Sequence, residues 1–214
     1  MELGSFYDRV SIKNGEYKTE NIQRLMCSKF ATVILKAYFY NFENYTDELS
    51  VIPKSTYSKK IKEFLEYEIL EKRGERIEIT DFGKDLLYIY GRIATYLAET
   101  LKLKDEVQIR EYLNMYLGSK WKARVIWYIY LCPCARFNEM CRSIEGISHK
   151  VLTDSLEELE ANGIIRKMFS YEKMPKSEYE LTSLGNEIAK FIIEIGFCCK
   201  RYNVVTQKVT ITVE

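Results

Sequence analysis

Short polar and basic side chains gather at the start of one predicted helix, just after a turn signal at Gly146. The spacing of Leu152, Leu156 and Leu159 gives this helix an apolar face for burial. The polar side chains lie off that face, where they can donate hydrogen bonds to base edges or pair with phosphate. They are Ser148, which is also suited to cap the helix, and His149, Lys150 and Thr153.

An earlier predicted helix begins with residues of the same kind. Ile52-Pro53 forms the turn before it, because proline is tolerated at the start of a helix but not in its interior. Tyr57, Ile61 and Phe64 form its apolar face. The candidate contact residues of this helix are Lys54, Ser55, Thr56, Ser58 and Lys59.

A short hairpin carrying basic residues is predicted after each of these helices, and the first one turns at Gly74. Basic side chains on such a hairpin, or wing, can approach phosphate or the minor groove. The candidates are Lys72, Arg73 and Arg76 in the first wing and Arg166, Lys167, Lys173 and Lys176 in the second.

The elements that would position these side chains follow one order over residues 118–185. An apolar helix, a short helix, a turn, the helix with the polar start and a hairpin succeed one another. That order is typical of a winged helix-turn-helix, whose second helix enters the major groove of DNA.

The first half of the chain repeats this pattern. Ser28-Lys29-Phe30 matches Ser119-Lys120-Trp121 at an offset of 91 residues, and Thr80 and Gly83 match Thr182 and Gly185 at an offset of 102. The offset grows only at the helix-turn-helix turn and at the wing tip, where insertion costs least. We interpret the pattern as a tandem duplication.

The predicted fold is mainly α with small β wings (α+β), built as two tandem winged helix-turn-helix domains joined and packed by long helices. Residues 21–42 are predicted to form one helix, and long helices are predicted at 84–101, 105–117 and 185–201. Their apolar surface exceeds what one small domain can cover, so they should pack the repeats together or against a second chain. The predicted layout is an N-terminal arm at 1–20, domain 1 at 21–101, domain 2 at 102–201 and a C-terminal strand or tail at 202–214. For the arm, a hairpin and a disordered segment are both consistent with the sequence.

The second repeat resembles the HxlR-type family of winged-helix transcriptional regulators. The resemblance rests on an ordered set of residues: Gly118-Ser119-Lys120-Trp121, Arg136-Phe137-Asn138-Glu139, Gly146-Ile147-Ser148, Lys150, Leu152-Thr153, Leu156, Leu159-Glu160, Gly163 and Glu178-Tyr179-Glu180-Leu181-Thr182-Ser183-Leu184-Gly185. It implies binding to double-stranded DNA, usually as a homodimer on a palindromic operator. A fused tandem departs from that pattern, so either a pseudo-dimeric monomer or a homodimer formed through the long helices is expected.

The total charge of the 214-residue chain limits what kind of DNA binding is expected. Formal net charge is only +1, so binding must come from local basic patches. The sequence shows neither the pattern of a signal peptide nor an apolar run of about 18 residues, which predicts a cytoplasmic protein without a membrane span.

Six cysteines and a single histidine leave little basis for other chemistry. Cys132-Pro133-Cys134 is a candidate redox pair, and Cys27 loosely matches the sensing position of some HxlR-type regulators. Reduced structural thiols are the alternative. The scattered ligands lack zinc-site spacing, and the usual enzyme motifs are absent, so no metal, cofactor or catalysis is predicted.

These observations favour a sequence-specific, double-stranded-DNA-binding transcriptional regulator that is not an enzyme. Two alternatives remain open. One is a winged-helix protein–protein interaction module, since fold does not fix function. The other is a replication or chromatin protein that uses the same DNA-binding surface.

Overall fold

A computed structural model of the chain describes residues 18–40, 42–169 and 177–204. Its contacts divide the chain into two compact units. The described part of the N-terminal unit is 18–40, 42–118 and 194–204, and that of the C-terminal unit is 119–169 and 177–193. The predicted hairpin in the arm and the predicted terminal strand lie outside the described residues.

The N-terminal unit is helical except for one hairpin. Its core includes Ile34, Leu35, Phe64, Leu86 and Leu97, all nearly inaccessible to solvent. In chain order its elements are α1 (Lys18–Met26), α2 (Ala31–Phe39), a 3-10 turn (Phe42–Tyr45), α3 (Thr46–Ser50), α4 (Lys54–Glu66), β1 (Leu70–Arg73), β2 (Arg76–Ile79), α5 (Asp81–Leu101) and α6 (Glu106–Leu117).

The single helix predicted for 21–42 is wrong, because the chain breaks between α1 and α2. Phe30 adopts a left-handed conformation, with φ of 68°, immediately before α2. The Ser28 hydroxyl donates to the carbonyl oxygen of Leu25 at 2.6 Å, replacing a helical hydrogen bond at the end of α1. The apolar spacing continues across the break, so hydrophobic periodicity alone did not reveal it.

The first hairpin forms where the sequence predicted it. β1 and β2 pair antiparallel, from Leu70 with Ile79 to Arg73 with Arg76. Gly74 lies at the turn with φ of 62°, a conformation that favours glycine.

The C-terminal unit packs helices against a small antiparallel sheet. Its core includes Val125, Ile126, Leu152, Leu159 and Ile188. In chain order its elements are α7 (Lys120–Leu131), β3 (Ala135–Arg136), α8 (Phe137–Ser143), α9 (His149–Ala161), β4 (Ile165–Phe169), β5 (Ser177–Leu181) and α10 (Ser183–Arg201), whose residues 194–201 belong to the N-terminal unit.

The sheet of this unit has three strands, in the order β3-β5-β4, where the sequence predicted a two-stranded hairpin. β3 pairs Ala135 with Tyr179 and Arg136 with Glu178. Two residues are too few to show the alternation that identifies a strand in a sequence. The broader expectation, a mainly helical chain with small antiparallel sheets, is confirmed.

The boundary between the compact units lies at Ser119, later than the predicted domain boundary at 102. α6 belongs to the N-terminal unit and is bonded to α2. The Thr32 hydroxyl donates to Glu106 at 2.5 Å, and the Lys36 ammonium pairs with the same carboxylate at 2.6 Å. These side-chain pairs join residues 74 and 70 positions apart, which sequence spacing does not predict.

The helices α4 and α9 both end in a left-handed residue, but only one of the two is a glycine. Gly163 follows α9 with φ of 67°, and Glu68 follows α4 with φ of 58°. A left-handed conformation costs a residue with a side chain about 1–2 kcal/mol, and glycine avoids that cost.

We therefore expect Glu68→Gly to raise the free energy of unfolding by about 0.5–1 kcal/mol, after allowing for the extra entropy of glycine in the unfolded chain. Gly163→Ala should lower it by about 1 kcal/mol. Urea unfolding with an unchanged m value would measure both changes. A lower midpoint for Glu68→Gly would contradict this explanation of the helix ends.

Candidate nucleic-acid interface

The turn between α8 and α9 fixes where α9 begins. Ile144 and Ile147 are buried on either side of Gly146, whose φ of 78° allows the chain to reverse. The Ser148 hydroxyl then accepts a hydrogen bond from the Val151 N–H at 3.3 Å. The predicted helix cap at Ser148 is thus present.

The four polar residues predicted at the start of α9 share one exposed surface. Leu152, Leu156 and Leu159 are buried on the opposite face. The Thr153 hydroxyl donates to the carbonyl oxygen of His149 at 3.0 Å, which leaves its oxygen able to accept a further hydrogen bond. The exposed residues are Ser148, His149, Lys150 and Thr153.

An arginine ties the helix-turn-helix to the wing. Two nitrogens of Arg136 donate to Glu178 on β5, at 2.6 and 2.9 Å. The backbone N–H of Arg136 donates to Glu139 at 3.1 Å and so closes the first turn of α8. Sequence reasoning did not identify this role, although both Arg136 and Glu178 belong to the residues that carry the family resemblance.

An ion pair between Lys122 on α7 and Glu158 joins α7 to the C-terminal half of α9, away from the exposed first turn of α9. Asp154 and Glu157 are exposed on α9, and no ion pair involves either of them among the residues described. The exposed face of α9 therefore combines one lysine with two carboxylates that have no ion pair in the described ranges.

In the described part of the second wing, one of the two basic candidates is paired with a carboxylate. Arg166 pairs with Glu180 on the neighbouring strand, so its charge is partly offset. Lys167 is exposed, and its ammonium lies 5.8 Å from the centre of the Phe169 ring. Lys173 and Lys176 lie outside the described residues.

In the N-terminal unit, α4 starts after Pro53, which caps it without a side-chain hydrogen bond. On the inner face of this helix Ile61 and Phe64 are buried, and Thr56 is half-buried. Sequence reasoning did not select Lys62, which is exposed on this helix. Its spacing of eight residues from Lys54, about two turns, was the available signal. The other exposed candidates are Lys54, Ser55, Ser58 and Lys59.

The first wing carries three exposed basic residues, of which one is neutralised. Arg73 pairs with Glu71 at 2.7 Å and with Glu78 at 3.5 Å. Lys72 and Arg76 are exposed, and within the described ranges no ion pair involves them.

The two units use the same contact between the wing and the helix that follows it. In the C-terminal unit the Thr182 hydroxyl donates to the carbonyl oxygen of Gly163 at 2.6 Å and accepts from the Gly185 N–H at 3.1 Å. In the N-terminal unit the Thr80 hydroxyl donates to the carbonyl oxygen of Glu68 at 2.7 Å and accepts from the Gly83 N–H at 3.0 Å.

The surroundings of the cysteines proposed for redox chemistry disfavour the charged thiolate form. Burial raises the pKa of Cys27 to about 12, and it also raises the pKa of the buried Cys132. Cys134 is exposed, yet partial desolvation and then the carboxylates of Glu178 and Glu180 raise its pKa.

Of these three thiols, we expect only Cys134 to react with iodoacetamide in the folded protein, and to react slowly at pH 8. Because its pKa is raised, the reactive thiolate is a minor species below that pKa, and the rate should climb as pH rises through it. Mass spectrometry of individual peptides would give each rate. Protein unfolded in urea, where all three should react, is the control, and a rapid rate already constant below pH 8 would contradict the expectation.

Among the described residues, no group of three or more histidine, cysteine, aspartate or glutamate side chains could hold a metal ion. None of the helices described is both long enough and apolar enough to cross a membrane.

Comparison with known proteins identifies relatives of the second half. The HxlR-like helix-turn-helix family matches residues 116–206. MalR of Fusobacterium mortiferum is 38% identical over 76 residues, which cover 35% of this chain and 71% of MalR. YybR of Bacillus subtilis, an uncharacterized HTH-type transcriptional regulator, is 34% identical over 79 residues, which cover 37% of this chain and 62% of YybR.

A solved structure is similar over a comparable span. The reduced form of the transcriptional regulator YodB from B. subtilis matches 47% of this chain and 94% of that one, at 26% identity and a TM-score of 0.40.

Proposed function

Because this chain belongs to the HxlR-like helix-turn-helix family through residues 116–206, we propose that it is a sequence-specific, double-stranded-DNA-binding transcriptional regulator. In this proposal two winged-helix domains, 21–101 and 102–201, act within one chain, and the first is a degenerate copy of the second.

The observation that carries the proposal is the exposed polar start of α9 within the family-matched region. Hydroxyl, imidazole and ammonium groups project there from a helix whose other face is buried. A helix of this kind fits the major groove, and its first turns meet base edges. In that position Ser148, His149, Lys150 and Thr153 would contact bases or adjacent phosphates.

The wings would supply the contacts that position the protein on DNA without reading sequence. In the described strands of the second wing Lys167 is the exposed cation without a described ion pair, whereas Arg166 would have to leave Glu180 to bind phosphate. We include Lys173 and Lys176, whose charges suit the same role. Binding through such contacts weakens as salt concentration rises.

The proposed first domain is supported by contacts that recur at matching positions. The Gly83 N–H donates to the Thr80 hydroxyl, just as the Gly185 N–H donates to the Thr182 hydroxyl. Each hydrogen bond lies between a wing and the helix that follows it. Its proposed DNA contacts are Lys54, Ser55, Thr56, Ser58, Lys59, Lys72, Arg73 and Arg76.

A second candidate function is favoured by the exposed carboxylates of α9. Asp154 and Glu157 would repel phosphate, so a protein partner is a specific alternative for this face. In either function the chain would act as a pseudo-dimeric monomer or as a homodimer formed through its long helices.

Footprinting and stoichiometry on one DNA would test the two-domain proposal. The full chain would be bound to a duplex selected by retention on the protein, and native mass spectrometry would count the chains per duplex. One chain should protect two segments of the duplex, since each domain contacts its own groove segment. One protected segment per chain would contradict the use of both domains, and protection by paired chains would favour the homodimer.

A further inference from the structure

The helices α4 and α9 can be aligned residue by residue through their buried faces. At an offset of 95 residues, Ile61 corresponds to Leu156 and Phe64 to Leu159, and all four are buried. Exposed positions therefore correspond as well, which allows the two surfaces offered to DNA to be compared position by position.

That comparison shows an inversion of charge. Where α4 exposes Lys59, α9 exposes Asp154. One turn further along, α4 exposes Lys62 and α9 exposes Glu157. The buried faces keep one chemical character in both helices, whereas these two exposed positions differ in the sign of their charge.

Three of the four lysines of α4 are exposed and have no ion pair in the part of the chain that the structure describes. Lys60 pairs with Glu63 at 2.6 Å, but Lys54, Lys59 and Lys62 have no ion pair among the residues that the structure describes. The outer two are separated by about 12 Å along the helix axis, given a rise of about 1.5 Å per residue. Three exposed lysines without an ion pair in the described ranges therefore follow one another along about two turns of this helix.

The face of α9 is suited to a different part of DNA. Its carboxylates repel phosphate but can accept hydrogen bonds from the amino group of cytosine in the major groove. Its one exposed cation is Lys150, and the ion pair between Lys122 and Glu158 removes only one of its negative charges.

We propose that the two helices divide the work of DNA binding, on the condition that the proposed function itself is correct. α4 is the principal phosphate-binding element of the chain and supplies affinity for any duplex. α9 supplies discrimination between sequences through Lys150, Asp154 and Glu157.

The test measures how affinity depends on salt for a selected duplex and for a scrambled one. In the variant K54Q/K59Q/K62Q, the slope of log affinity against log salt should become shallower by about 2 to 3, since each phosphate contact contributes about 0.9. Affinity for the two duplexes should fall by the same factor. The matched control K102Q/K104Q/K200Q, which removes three exposed lysines of the same unit, should leave the slope unchanged.

Variants of α9 complete the test. D154N/E157Q should leave the slope for the scrambled duplex nearly unchanged while shifting the ratio of selected to scrambled affinity at least fivefold. D154K/E157K should steepen the slope, because it gives α9 the charges found on α4. Circular dichroism would establish that each variant is folded.

The outcomes separate this inference from the proposed function. If the unmodified chain binds with a steep slope that K54Q/K59Q/K62Q does not change, the division of work is wrong and the proposed function stands. An unchanged affinity ratio in D154N/E157Q would also overturn it. If the unmodified chain binds no duplex at low salt, both the inference and the proposed function fail.

Discussion

Replacing Gly185 with alanine is expected to lower the free energy of unfolding by about 3 kcal/mol, the upper range for overpacking in a well-packed region. An added Cβ would overlap the carbonyl oxygen of Ile164 and would lie 3.2 Å from a methyl carbon of Leu181. This carbonyl is part of the backbone and accepts a hydrogen bond from the Thr182 N–H at 3.0 Å. It therefore cannot move aside as the end of a flexible side chain could.

The same change at Gly83 should have a similar effect in the N-terminal unit. Its added Cβ would overlap the carbonyl oxygen of Ile69 and lie 2.8 Å from a side-chain carbon of Ile79. Ile69 accepts the N–H of Thr80 at 3.1 Å, which repeats the arrangement at Gly185. Both glycines let the helix after a hairpin start close to the loop that leads into that hairpin.

Two other glycines in the same helices provide matched controls. A Cβ added at Gly91 in α5 or at Gly196 in α10 would meet nothing within 4 Å. Alanine at either position should raise the free energy of unfolding by about 0.5–1 kcal/mol, because glycine is a poor helix former. Urea unfolding of all four variants would measure the changes. Stability within about 0.5 kcal/mol of wild type for Gly185→Ala would contradict the close approach.

Replacing Lys150 with alanine is expected to weaken binding to a selected duplex by about 1–3 kcal/mol, or about 5- to 160-fold. Lys150 is the exposed cation at the start of α9, and an ammonium there can meet guanine or phosphate. A base contact predicts that discrimination between the selected and scrambled duplexes falls as well. A phosphate contact predicts an equal loss for both and a shallower salt slope.

Fluorescence anisotropy with both duplexes would measure these losses. Lys190→Ala is the matched control, because Lys190 is exposed on α10 and paired with Glu187 at 2.6 Å. Lys150→Arg should retain binding, since arginine offers guanine a planar pair of donors. Unchanged affinity of Lys150→Ala for both duplexes would remove α9 from the DNA interface.

Local sequence signals predicted the parts of the fold that depend on neighbouring residues. The cap at Ser148 and the turn at Gly74 are set by side-chain chemistry within a few residues. The buried face of α9 follows from the spacing of Leu152, Leu156 and Leu159, and that spacing also predicted which residues are exposed.

Features that depend on distant residues were missed. β3 is two residues long and is defined only by its pairing with β5. The bond between Arg136 and Glu178 joins positions 42 residues apart. The break at Phe30 is local, but it leaves the hydrophobic periodicity intact, so the apolar spacing did not reveal it.

The free charge of the candidate site was also only partly predictable. Counting basic residues gave Arg73 and Arg166 the same weight as Lys72 and Lys167, but cross-strand and neighbouring carboxylates pair with both arginines. The sequence places these residues in the wings, whereas the register of the strands decides which carboxylate each one faces.

The most direct test of the central claim is retention of random duplex DNA by the full chain across a series of salt concentrations, followed by sequencing of what is retained. Sequence-specific binding predicts an enriched motif together with a steep loss of affinity as salt rises. Steep salt dependence without a motif would contradict sequence-specific regulation and favour an architectural role on DNA. No retention at low salt would contradict DNA binding itself and leave the protein-interaction module as the function to test.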